Sequence, residues 1–502
     1  MTRKLVVVGA GPVGCLAAVS FAKMGWSVDI YETRPDMRLP SSQAAAQQRS
    51  INLAISSRGI AAMQAIDSAA ASRFLDNVIP MRGRMIHDSD GNLDSQPYDR
   101  NGQCINSIDR ALLNLGLLDE ALAVNSVHVF FQHKIVSINF QGRVISILDV
   151  GTGKEFERGF DLCIGADGSY SIVRRQLMRV IRMDFQQEYI PHEYIELKIP
   201  AGRDNCNNPY FLLDPNHLHI WPRHSFMLIA LPNKVSYLPS HDKSFTCTLF
   251  APTTEFEKLS CDDQVLSWFM AHFSDALELI GTEGLLNSFQ RNPRNPLISI
   301  KAKPYHYKDR AIILGDAAHS MVPFYGQGLN CGLEDVRILT ALLHEAGVDP
   351  TTAQDPDSFD LRLAGALSRY SESRHGDLVA INDLAMNNYE EMRHSVTTLA
   401  HRLRRVVDNL LFSLTSRTPV TLASLGTFPA GVTFPSRTPQ GWVPLYTMVT
   451  FRPDISYSSA KRKATEQSRV IANVGIVGSV ALGIVSAGVA WMAFFHRTRS
   501  YS

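Results

Sequence analysis

The chain has no excess of charge of either sign. Its 49 Lys and Arg against 48 Asp and Glu leave a formal net charge of +1, so it lacks the basic footprint of a nucleic-acid binder. It has no C-x-x-C pair. Seven cysteines stand scattered at 15, 104, 163, 206, 247, 261 and 331, which argues against a zinc site or a disulfide framework and for a reducing compartment; no metal is expected. It shows no secretory leader, because Met1 to Lys4 runs straight into an apolar, β-branched stretch, and the N-terminus is expected to be structural. Long apolar runs are absent but for one. Residues 471–495 are 25 positions without a charge, preceded by Lys461, Arg462, Lys463 and Arg469 and followed by His496, Arg497 and Arg499. That length crosses about 30 Å of hydrocarbon, and the segment is expected to be a single transmembrane tail helix, with Trp491 at an interface.

What is present is organised around KLVVVGAGPVGCLAAVSFAKMGWSVDIYE, residues 4–32. Leu5 to Val8 reads as a buried strand, Cys15 to Met24 as a helix with Gly25 after it, and Ser27 to Tyr31 as a second strand. Gly9, Gly11 and Gly14 fall in G-x-G-x-x-G spacing between strand and helix. The first permits the tight turn, the second lets a pyrophosphate approach the backbone, and the third lets helix and strand pack closely. The helix N-terminus offers free N–H groups to phosphate. Glu32, at the end of the second strand, is placed to accept hydrogen bonds from a ribose. A bound dinucleotide is expected, and the motif alone does not separate FAD from NAD(P).

A chain of 502 residues exceeds one compact core, so two intimate domains with appendages are expected. After Glu32, Arg34 is a candidate for phosphate or adenosine and Arg38 a weaker one. Ile51 to Ile55 is extended, and a helix runs from Ser56 to Ala65. Pro80 to His87 reads as one strand, which puts Arg82 and Arg84 on a shared face. Asp90-Gly91 signals a hairpin, followed by Pro97-Tyr98. Arg110 opens a helix. Strands are expected at 127–131, 135–140, 144–148 and 160–164. From 184 to 300, short aromatic and β-branched runs alternate with turn residues, which predicts an antiparallel sheet with one helix near 265–279. Residues 358–412 read as two long helices, and Thr418 to Gln440 as a loop.

Two further stretches carry chemistry. In GDAAHSMVPFYGQGLN the strand ending at Gly315 puts Asp316 near a ribityl hydroxyl, and the Gly326–Gly328 turn can bring backbone N–H groups to a flavin ring. His319 is expected to be structural. The other stretch is CIGADGSYSIVR, with Asp167-Gly168 and Arg174.

Together the three motifs, in this order and spacing, resemble the single-component flavoprotein aromatic hydroxylases over nearly the whole chain before the tail. Within that group INLAISSRG, PMRGRMIH, SIDR, GDAAHSMVPFYGQGLN, NNYEEMR and PLYTMVTF resemble its membrane-anchored members acting on an aromatic amino acid. The resemblance implies an α/β fold: a Rossmann-like FAD-binding domain (1–180, with 75–105 contributing to the substrate site, and 301–350), an antiparallel-sheet substrate domain (181–300), a C-terminal helical region and loop (351–470) and the anchor (471–495). It implies FAD across Val13, Tyr31, Glu32, Thr33, Arg34, Ala54, Arg110, Ile135, Asp316, Leu329 and Asn330, beside Gly9, Gly11, Gly14, Asp167 and the Gly326, Gln327, Gly328 turn. It implies a substrate amino-acid group held by Arg84, Tyr98, Asn388 and Tyr446, and leaves Arg82 structural. NADPH would be a co-substrate bound transiently, since no second G-x-G-x-x-G is present, and O2 the oxidant. No side chain is expected to act as a nucleophile. The loop at 418–440 looks longer than the family core requires. A mitochondrial outer membrane location with the catalytic part facing the cytosol is expected, and a small-residue stripe at Gly475, Ser479, Gly483 and Ala487 suits a homodimer of anchors. Rival expectations are the same fold acting on a phenolic acid or quinone precursor, or a membrane-anchored FAD protein without catalysis.

Overall fold

A computed structural model describes residues 2–42, 52–234, 243–351, 358–394, 398–415 and 438–473. Lys4–Val8 forms a strand because it is a β-branched run that can be buried on both faces. It lies inside a six-stranded sheet ordered His306–Tyr307, Ala311–Ile313, Leu162–Gly165, Lys4–Val8, Ser27–Glu32 and Val127–Phe131. All neighbours are parallel except the first pair. Val8 pairs with Tyr31 on one side and Gly165 on the other, so the carboxyl ends of these strands finish level. That end of an open parallel sheet is where a ligand crevice forms. The Pro12–Lys23 helix starts just beyond it, with proline in the first turn and no side chain capping its free N–H groups.

A second sheet of seven strands runs Asn295–Lys303, Asp184–Ile199, Phe245–Pro252, Phe226–Pro232, His217–Arg223, Gly83–His87 and Leu93–Pro97. The expected antiparallel sheet is thus extended by a hairpin from the first hundred residues. One pair is parallel, His217–Arg223 with Gly83–His87, where Leu218 faces Arg84. The hairpin turns at Gly91, whose φ is +82°.

The reading of Pro80 to His87 as one strand is corrected. The chain breaks at Arg82, whose N–H donates to the Asn216 carbonyl at 2.7 Å. Ile79–Met81 belongs to a separate three-stranded sheet with Asn52–Ile55 and Ile105–Asp109. Arg82 is therefore exposed and Arg84 buried, and the two do not share a face. The single helix expected near 265–279 is also corrected. Two helices stand there, Asp262–His272 and Ser274–Ile280, with Thr253–Phe256 before and Thr282–Arg291 after. The break is at Phe273, which leaves helical dihedrals (φ −142°, ψ 46°) to bury its ring in the cluster around Trp221, Phe226 and Phe269.

Beyond the sheets, Gly328–Glu345 packs against both Pro12–Lys23 and the 33-residue helix Leu361–Arg393. Leu399–Thr415 and the short Leu445–Phe451 follow, and the chain is helical again over 457–473. Among the described residues no helix is long and apolar enough to cross a membrane. The anchor expected at 471–495 lies outside the described residues after its first three positions, as does most of the 418–440 loop.

Candidate active site

One elongated cavity of about 1120 Å³ opens at the carboxyl ends of the parallel strands and continues under the second sheet. Of the residues expected at the cofactor, Gly9, Gly11, Val13, Tyr31, Glu32, Thr33, Arg34, Ala54, Arg110, Ile135, Asp167, Asp316, Gly326, Gln327, Gly328 and Leu329 line it. Gly14 does not. It sits where the helix crosses the strand: a Cβ there would meet the Gly9 carbonyl oxygen at 2.0 Å. Gly9 itself has φ +101°, and an added Cβ would stand 2.6 Å from the Ala166 carbonyl oxygen. A Cβ at Gly11 would have nothing within 4 Å, so this glycine faces open cavity. The bare backbone at Gly11 and the uncapped helix beyond it form the kind of cradle a pyrophosphate takes.

Glu32 accepts from the Ala10 N–H at 2.9 Å and from Arg34 through its N–H and Nε, each at 2.9 Å, and Nη2 at 3.1 Å. Burial pushes its pKa up, but the Arg34 hydrogen bonds and charge outweigh that and hold the carboxylate below its ordinary range. A charged acceptor at this end of the cavity suits a ribose diol. Asp167 accepts from the Ile172 and Val173 N–H groups at 2.6 and 3.2 Å, and its burial raises its pKa. Asn330 does not line the cavity. Its Nδ2 donates to the Ala54 and Gly326 carbonyls at 2.9 and 2.7 Å, and its Oδ1 accepts from the Ser56 N–H at 2.9 Å. The residue is a brace that fixes the Gly326 turn, with φ +66°, against the Asn52–Ile55 strand. These glycines and donors fit FAD: the first cradle would take its phosphates, Asp316 would meet the ribityl chain and the Gly326–Gly328 turn would face the isoalloxazine.

At the other end Arg84 and Tyr98, from one hairpin, meet Tyr446 from the distant Leu445–Phe451 helix. The Tyr98 and Tyr446 rings stack at 4.9 Å and 10°. The Arg84 guanidinium lies 5.2 Å from the Tyr446 ring and 5.8 Å from that of Tyr98. Arg84 is only 8% exposed. Desolvation pulls its pKa down, but the Glu391 carboxylate at 3.4 Å leads the charges that hold it above the ordinary value. Burial raises the pKa of both tyrosines, so they stay neutral hydroxyls. Asn388 does not line the cavity. Its Nδ2 donates to the Phe324 carbonyl at 2.7 Å, which ties the Leu361–Arg393 helix to the cavity wall. Glu391 had no role in the sequence reading. Its signal was there, three residues after Asn388 on one helix face. Phe250 and Phe324, edge to face at 4.9 Å, line the same end and were likewise not singled out.

His319 is buried with Nε2 2.5 Å from Asp335, whose Oδ2 also accepts from the Gly315 N–H at 3.1 Å. His319, Cys331 and Asp335 bring ligand atoms within 4.8 Å of one another. Arg374 already supplies the cation there, with Nε 3.0 Å from Asp335 and Nη2 3.4 Å from the Cys331 sulfur.

Comparison with known proteins agrees with this geometry. Residues 2–348 match the family model described as FAD binding domain. Solved structures of similar fold include 2-methyl-3-hydroxypyridine-5-carboxylic acid oxygenase, with a TM-score of 0.59 and 18% identity over 79% of this chain and 94% of that one. Another is P. aeruginosa PqsL in complex with 2-aminobenzoylacetate, with a TM-score of 0.58 and 17% identity over 78% and 97%. Relatives in sequence reach further. The kynurenine 3-monooxygenase of Cryptococcus neoformans is 45% identical over 97% of this chain and 96% of its own length. That of Saccharomyces cerevisiae is 40% identical over 97% of both. A match of this extent, over a fold shared with flavin-dependent oxygenases, places the chain in the FAD binding domain family and, within it, among the kynurenine 3-monooxygenases.

Proposed function

We propose that this chain hydroxylates L-kynurenine at the ring 3-position, giving 3-hydroxy-L-kynurenine, with FAD as cofactor and NADPH and O2 as co-substrates. The observation that carries the reading is the continuity of one cavity from the glycine cradle at Gly11 to the buried Arg84. Bound FAD supplies the oxygen activation, using electrons from NADPH. The chain supplies the rest. Arg84 offers a planar fork to the substrate carboxylate, and a bidentate pair fixes the direction of the aromatic ring as well as its place. Glu391 does not line the cavity and holds the Arg84 guanidinium from behind at 3.4 Å. The hydroxyls of Tyr98 and Tyr446 are available to the remaining polar atoms. Leu218, Ile229, Leu231, Phe250 and Phe324 make an apolar wall that keeps water from the reacting ring.

NADPH consumption by detergent-solubilised full-length protein, with and without L-kynurenine and with mass detection of product, tests the reading. Strong stimulation and a product one oxygen heavier are expected. A flavin-loaded sample that L-kynurenine does not stimulate would sink the substrate assignment and turn attention to phenolic acids.

The second part of the proposal concerns location. The uncharged run 471–495, with basic residues on both sides, supports a tail anchor that leaves the catalytic part in the cytosol. The short, modestly apolar span with basic flanks suits the mitochondrial outer membrane, and its small-residue stripe suits pairing of two chains. A reporter fused to residues 460–502 is expected on mitochondria; its appearance on the endoplasmic reticulum would overturn that choice.

A further inference from the structure

Arg58 lies in the INLAISSRG stretch, lines no part of the cavity, and is wholly buried. Its guanidinium is committed in four directions. Nη1 donates to Glu334 at 3.0 Å. Nε donates to the Val449 carbonyl at 2.5 Å, and Nη2 to those of Met448 at 3.2 Å and Ile455 at 2.5 Å. Its face lies 4.0 Å from the Tyr457 ring, whose hydroxyl donates to Gln327 Oε1 at 3.1 Å.

Met448 and Val449 belong to the last turn of the Leu445–Phe451 helix. Carbonyls there have no partner within their own helix and form its negative end. A buried guanidinium fork satisfies two of them and the following Ile455 carbonyl at once, which an ammonium cannot do from one position. The other end of the fork is fixed. Glu334 is fully buried and also held by Arg374 at 2.8 Å and Arg337 at 3.2 Å. It stands on the Gly328–Glu345 helix, whose start is the turn proposed for the flavin. Arg58 therefore joins the flavin-side helix to the short helix that carries Tyr446 at its second position.

We propose that Arg58 is a positioning residue for the substrate: by capping the Leu445–Phe451 helix it fixes where Tyr446 stands against Arg84 and Tyr98. The proposal rests on the reading of Tyr446 as part of the substrate corner. Arg58 touches neither substrate nor cofactor. Its effect passes through the helix, so the loss should fall on KM rather than kcat and should vanish once Tyr446 can no longer respond.

The test uses full-length, FAD-loaded Arg58→Lys, Tyr446→Phe and the double variant. FAD per chain, Tm, the L-kynurenine Kd from flavin absorbance, KM and kcat are measured for each. Arg58→Lys is expected to raise Kd and KM about tenfold with FAD content kept, from lost charged hydrogen bonds. In the Tyr446→Phe background the same change should add less than about twofold, as for two residues acting in one path. Multiplicative losses would overturn the proposal. So would an Arg58→Lys protein that loses FAD and Tm with KM unchanged in its folded fraction, or that cannot be obtained with FAD bound, since Arg58 would then serve the fold alone. If Tyr446→Phe by itself leaves kynurenine affinity at the wild-type value, the substrate reading of Tyr446 fails, and this proposal falls with it.

Discussion

Arg84→Ala is expected to weaken L-kynurenine binding by two to three orders of magnitude (roughly 2–5 kcal/mol for removing one partner of a buried charge pair) while FAD stays bound at one per chain. Arg84 is buried on an inner strand of the seven-stranded sheet, beside the stacked rings of Tyr98 and Tyr446. The truncation also leaves Glu391 without its 3.4 Å partner. Arg84→Lys separates the two effects. It keeps the charge and loses the planar fork, so it should recover part of the affinity and leave the ring poorly oriented, seen as NADPH oxidation that outruns product. A titration followed by flavin absorbance checks the first result. Normal affinity in Arg84→Ala would remove the residue from the site.

The same corner shows what a sequence can and cannot state. The Lys4–Glu32 unit was legible almost residue by residue, because a strand, a glycine turn and a helix in immediate succession leave one packing solution. From the strand pattern alone Arg84 was legible only as half of a pair with Arg82, and it was the family resemblance that singled it out. Periodicity gave them one face, and the break at Arg82 comes from pairing with residue 216, which no local pattern encodes. Asn388 and Asn330 were read toward ligands. Amides are donors wherever they lie, and the structure spends both on backbone carbonyls, bracing the walls of the cavity. The two helices between 262 and 280 were merged for a similar reason. Their apolar spacing is continuous through Phe273, and only the second core explains why the chain turns there. The strand Lys154–Gly159 was missed because KEFERG has almost no apolar alternation; it is held by its ladder to Val144–Asp149.

Gly11→Ala and Gly14→Ala should both empty the protein of FAD, and for opposite reasons. At Gly11 the backbone is extended, with φ −75° and ψ 173°, which alanine adopts freely, and the added methyl meets no protein atom within 4 Å. The fold should therefore keep the melting temperature of the apoprotein. The methyl instead stands in the cavity where a pyrophosphate must approach the N–H groups at the helix start. Losing two charge-assisted hydrogen bonds of about 1.5–3 kcal/mol each predicts FAD binding weaker by at least about 100-fold. At Gly14 the methyl would lie 2.0 Å from the Gly9 carbonyl oxygen, a backbone atom that cannot swing aside. The Pro12–Lys23 helix must move off the strand, and its buried face, from Cys15 through Ala22, loses its packing. That variant should be destabilised before any ligand is added, by about 3 kcal/mol, the upper end of the usual cost of overpacking a core. Thermal unfolding of the two apoproteins, beside FAD titration followed by fluorescence, distinguishes them. A Gly11→Ala protein that folds and binds FAD as the parent does would mean that the cradle at the first turn is not where the pyrophosphate lies.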